Sequence, residues 1–201
     1  MALHRSYVHG NSVYLEHTGS PGARSKDTVL DTFDGDYGDL IDLGGHGGAA
    51  CLRLGWGSRF VIFDTGRANN AKSGHFWCHF AIPTPAFEDG FRATARRVLI
   101  NYESEDIQEI SIAAVHVWDG NRRIFADNSP ERSRDDYNGG IPRHTTNANA
   151  RANTNAIWRK DINRSINFGV SVSILIRAQR AKDSFLEIRS VGIDFDMGER
   201  R

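Results

Sequence analysis

The chain has 201 residues, 39% hydrophobic and 25% charged, enough for one domain with a sizeable core and short for two. Its 25 basic and 25 acidic residues cancel, so bulk charge gives no reason to expect nucleic acid or an anionic membrane as a partner. Two cysteines, Cys51 and Cys78, are too few for a disulfide framework or a four-thiolate zinc site, although a Cys51–Cys78 bridge stays open.

The opening residues, "MALHRSYVHG", lack the apolar core of a signal peptide, and no run is long enough to span a membrane. A cytoplasmic, reduced protein is the default expectation. "YVHGNSVYL" then reads as strand, turn at Gly10-Asn11, strand. A long loop is expected at about 19–48, Gly-rich and acidic, with Asp27, Asp31, Asp34, Asp36, Asp39 and Asp42 and no Lys or Arg between the first and last of them. Closely spaced carboxylates suit a hard cation, which makes Asp34, Asp36 and Asp39 weak calcium candidates. The EF-hand pattern fails, because the twelfth position from Asp34 is Gly45 rather than Glu. "LIDLGGHGGAA" carries a variant of the dinucleotide fingerprint, yet it lacks the buried strand before it and the helix after it.

"GHFWCHFAIPTP" places His75 and His79 four apart around Trp77. The segment alternates: Phe76, Cys78, Phe80 and Ile82 form an apolar set, and His75, Trp77 and His79 form the other. Prolines at 83 and 85 end it, as expected for a strand leaving a sheet. On a strand, residues four apart stand about 13 Å apart, whereas zinc holds each imidazole nitrogen at about 2 Å. The two histidines therefore do not form a metal pair.

"RRVLINYE" alternates Val98, Ile100 and Tyr102, and "EISIAAVHVWDGNRRIF" reads as a hairpin turning at Asp119-Gly120-Asn121. That hairpin sets His116 and Trp118 on one side of a strand. If it neighbours the His75–His79 strand, the two rows become a patch. His116 with Asp119 resembles a base and its orienter, but no nucleophile accompanies them. A second long loop is expected at about 127–155. The Arg/Asn run "RHTTNANARANTNAIWRK", whose sole aromatic is Trp158, reads as a mobile polar segment able to hydrogen-bond a polyol.

"SINFGVSVSILIR" is the clearest strand, with Phe168, Val170, Val172, Ile174 and Ile176 on one face and Ser171 and Ser173 opposite. In "FLEIRSVGIDF", Leu186 and Ile188 fall out of phase with Val191, Ile193 and Phe195. A bulge near Arg189–Ser190 would reconcile them and turn Asp194 and Asp196 out to solvent. Convincing helices are absent. Many short strands between Gly, Asn and Asp turns indicate an all-β protein, an antiparallel β-sandwich of jelly-roll type in one domain, 1–201.

Taken together and in order, "YVHGNSVYLE", "RLGWGSRF", "FWCHFAIPTP" and "VHVWDGNRRI" resemble a family of single-domain microbial proteins described only as a domain of unknown function. The resemblance covers most of the chain, with 18–50 as an insertion. It implies a compact β-rich domain and transfers no catalytic residues.

The functional expectation is a non-catalytic ligand-binding or interaction module without a cofactor. Its candidate ligand-binding residues are His75, Trp77, His79, His116 and Trp118. An indole flanked by imidazoles suits stacking against a sugar, so a glycan is the expected ligand class. A self-assembling homo-oligomer is the alternative, and a metal-assisted hydrolase comes third.

Overall fold

The computed structural model describes residues 3–16, 38–42, 48–63, 74–85, 92–107, 109–128, 130, 154–179 and 184–197. Among them the regular structure is β-strand, apart from 3-10 turns at Gly10–Ser12 and at Pro130. The strands are β1 (Leu3–His9), β2 (Tyr14–Leu15), β3 (Gly38–Asp42) and β4 (Gly48–Leu54). Next come β5 (Gly57–Phe63), β6 (Gly74–Ile82), β7 (Thr94–Ser104) and β8 (Ile110–Asp119). The last four are β9 (Arg122–Asp127), β10 (Thr154–Ser165), β11 (Val170–Ala178) and β12 (Ser184–Asp196).

They form two antiparallel sheets. The larger runs β10-β7-β12-β5-β4-β3, with β1 also on β12; the smaller runs β2-β6-β11-β8-β9. The inner faces share one hydrophobic core, as the alternation demands: Val98, Ile100 and Tyr102 from β7 meet Val172, Ile174 and Ile176 from β11. Phe60 of the large sheet and Phe76 of the small one touch with ring centroids 5.5 Å apart. The protein is an all-β sandwich. No helix among the described residues is long and apolar enough to cross a membrane.

β12 carries the expected bulge. Its register with β7 slips between Ile188 and Ser190, so Leu186, Ile188, Val191, Ile193 and Phe195 all reach the core. On its other side β12 pairs with β5 through Ile188 and with β1 from Ser190 onward, so the sheet forks at the bulge. Both departing strands pass the fork with glycine. A Cβ on Gly10 would lie 1.8 Å from the Ile188 carbonyl oxygen, and one on Gly57 would lie 2.5 Å from it. The extra residue, Arg189, turns outward and bridges two glutamates that the register sets opposite each other, Glu187 and Glu103. Arg59 adds two bonds to Glu187, of 3.1 and 2.9 Å. Burial alone would raise the Glu187 pKa, but hydrogen bonds from Arg189, Trp56 and Arg59 outweigh it and hold the carboxyl below its ordinary value.

Several expectations need correction. "YVHGNSVYL" does turn at Gly10, but it is no hairpin: β1 joins the large sheet and β2 the small one. Phe168 is 65% exposed, because β11 begins two residues later. Asp194 and Asp196 point outward yet are buried, since cross-strand neighbours such as Arg5 and Arg96 cover them. The expected 19–48 loop contains β3, which pairs with β4. The Arg/Asn run ends inside β10, where Trp158 is a core residue. Most of both long segments lies outside the described residues. Cys51 and Cys78 are buried on opposite sheets and form no disulfide with each other, and burial, then the neighbouring Cys51, pushes the Cys78 thiol up.

Candidate functional site

The outer face of the five-stranded sheet receives every candidate ligand-binding residue. β6 is a strand, as its alternation predicts, and its Phe76, Cys78, Phe80 and Ile82 are buried inward. His75 is therefore exposed on the outer face, and Trp77 and His79 are half-buried there. β8 delivers His116 and Trp118 to the same face while Val115 and Val117 enter the core.

β6 and β8 are not neighbours, because β11 runs between them. The registers set His79, Ser173 and His116 in one row across the three strands. Ser173 is too small to separate its flanking side chains, so rings from β6 and β8 close over it. Trp77 and His116 have centroids 4.7 Å apart at 40°, and His116 meets Trp118 edge-on at 6.4 Å. The result is a diagonal band, Trp77–His116–Trp118, which leaves Ser173 itself buried. β2 adds Tyr14, which stands directly opposite His79 and is 70% exposed.

Polar partners fix the rings. His79 Nε2 lies 3.3 Å from Glu16 Oε2, and its Nδ1 lies 2.8 Å from Ser173 Oγ. A carboxylate can only accept, so Nε2 carries a proton and donates to Glu16, while Ser173 Oγ is the hydrogen-bond partner of Nδ1. His116 Nε2 lies 2.8 Å from Asn128 Oδ1 and donates to it. Arg123 sits with Cζ 5.9 Å from the Trp118 ring centroid, at cation–π range. His75 stands opposite Arg177, and burial, then that guanidinium, lowers its pKa.

Asp119 anchors the Trp118 end. It accepts the backbone N–H of Asn167 at 2.9 Å and of Phe168 at 2.7 Å, tying the β8–β9 turn to the β10–β11 connection. Gly120, at φ +58° in that turn, packs under Phe168. Asp119 is thus spent on backbone and on Arg122, and the expected His116–Asp119 pairing is replaced by His116–Asn128.

Among the described residues, no group of three or more His, Cys, Asp and Glu side chains gathers where it could hold a metal ion. Asp34 and Asp36 lie outside those residues. Asp39 lies on β3, opposite Cys51 in register. Reading the sequence missed Glu16, Ser173, Asn128 and Arg123. The serine was visible as a polar residue on the right face; Arg123 and Asn128 follow from the register of the β8–β9 hairpin, and Glu16 depends on the pairing of the distant strands β2 and β6. No protein-family model matches the chain, and no curated protein matches it.

Proposed function

We propose that the chain is a non-catalytic carbohydrate-binding module, and that the outer face of its five-stranded sheet is the binding surface. One observation carries the reading: residues from two strands that are not neighbours join into a single aromatic and imidazole band, with polar groups along both margins. Trp77 and Trp118 offer ring faces for the apolar C–H side of a pyranose. Glu16, His79, Asn128 and Arg123 surround them with acceptors and donors for hydroxyl groups. The shallow strip over Ala81 and Ser171, which pair beside Trp118, has small side chains and leaves room for a ring.

A glycan array, followed by titration calorimetry on any hit, tests the reading. Trp118→Ala and Trp77→Ala are each expected to weaken binding by about 1–3 kcal/mol, the cost of truncating a contact hot spot. Thermal melts run alongside separate lost binding from lost folding. Wild-type protein that binds no glycan, with a melting temperature that collapses in Trp77→Ala, would make the band a packing feature and sink the proposal.

A further inference from the structure

The outer face of the large sheet plays no part in the site above, yet it is not a featureless charged surface. Leu3, Tyr7, Trp56 and Ile157, four large apolar side chains that remain exposed, belong to it. Trp56 is tied to it by a hydrogen bond to Glu187. Tyr7 lies over Gly192, where a Cβ would come within 2.2 Å of its ring.

The charges on this face are ordered. In register, Asp161 of β10 stands opposite Arg97 of β7, Arg97 opposite Asp194 of β12, and Asp194 opposite Arg5 of β1. Read across the four strands, the row is negative, positive, negative, positive. Arg97 Nε is 2.7 Å from Asp161 Oδ1, and Arg5 Nε is 3.5 Å from Asp194 Oδ1. The end members are open, with 63% of the Asp161 side chain and 65% of the Arg5 side chain exposed. Asp194 Oδ1 is buried and accepts no hydrogen bond. The next row reads Arg159, Leu99, Gly192, Tyr7.

An alternating row with an even number of members is complementary to its own reversal. A two-fold axis along the strands, midway between β7 and β12, performs that reversal when a second copy packs face to face. Asp161 then faces Arg5 of the second copy, Arg97 faces Asp194, and Arg159 faces the Tyr7 ring. The exposed acid at one end of the row meets the exposed base at the other, the buried Asp194 staying with its own Arg5, and a guanidinium meets an aromatic face.

We propose that this face is the interface of a symmetric dimer of the chain. The area agrees. Four strands at about 4.8 Å spacing, over the length of β7 at about 3.3 Å per residue, cover about 700 Å² per copy. The pair would bury about 1,400 Å², inside the range of stable interfaces. The row nets to zero charge, which argues against nucleic acid as the occupant.

The test is mass in solution, by light scattering, with charge reversal. Wild type is expected at twice the chain mass of 22.4 kDa. Arg5→Glu alone and Asp161→Arg alone each set like charges against each other at both ends of the row, and each is expected to be monomeric. Mixed, the two variants regain opposite charges at both ends and are expected to form a heterodimer, which no unfolded variant could do. If a reversal fails to fold, Arg5→Gln replaces it and is expected to raise the dimer dissociation constant about tenfold. Three results overturn the proposal: a monomeric wild type, dimers that survive the reversals or Arg5→Gln unchanged, or folded monomeric variants whose mixture stays monomeric. A monomeric wild type would leave this face to a different partner. The glycan reading stands or falls separately, because it concerns the opposite sheet.

Discussion

Ser173 and Ile174 are adjacent on β11 and face opposite ways, and both are buried. Ile174→Ala empties a core site and should cost about 2–5 kcal/mol in chemical denaturation; a loss below about half a kcal/mol would mean that the core face is misassigned. Ser173→Ala removes only the hydrogen bond to His79 and should cost about 1 kcal/mol. Ser173→Leu is a different matter, because its side chain would enter the space where Trp77 and His116 meet. It is expected to abolish binding to any glycan found for wild type while the core stays folded. Glu187 supplies the pH dependence at this scale. Its carboxyl titrates below its ordinary value when folded, so the native state binds fewer protons than the unfolded chain. The stability this confers is present above the ordinary value of about 4.5 and is lost as pH falls below it, through the folded value. Melting temperatures measured down through that window should drop, and Glu187→Gln should flatten the drop.

At the scale of elements, the fork in β12 depends on glycine at two places. Gly10→Ala and Gly57→Ala drive a methyl group into backbone that cannot step aside, and each should cost at least the upper end of about 1–3 kcal/mol. Gly55→Ala, with open space around its position, should cost far less in the same urea titration. The bulge itself was legible, because the phase of Leu186 and Ile188 cannot match that of Val191 and Ile193 without an extra residue. The strand character of "HFWCHFAI" was legible too, since alternation is a property of consecutive residues. What lay beyond reach was pairing. Nothing local in β6 or β8 says that β11 separates them, or that its serine lets Trp77 touch His116. The burial of Asp194 was hidden for the same reason: the residues that cover it come from β1 and β7.

At the scale of the molecule, the two sheets are held by pairings between distant segments. Both open faces carry organised side chains, so the proposed binding and assembly surfaces lie on opposite sides of one core. Such a topology folds slowly, because loop closure must precede most of the contacts that reward it. Stopped-flow refolding is expected on the millisecond-to-second scale, and Ile188→Val, at the fork, should slow it if the centre of the large sheet forms early. β12 is the last described strand in sequence, yet it lies between β7 on one side and β5 and β1 on the other. On a ribosome, β7 would therefore emerge with its inner edge unsatisfied and wait for a partner about 90 residues downstream. At about 5–20 residues per second that wait lasts roughly 5–18 s, during which β1, β5 and β7 each offer a bare edge to any passing nascent chain. Crowded translation, rather than the finished fold, is where this architecture is most exposed to error.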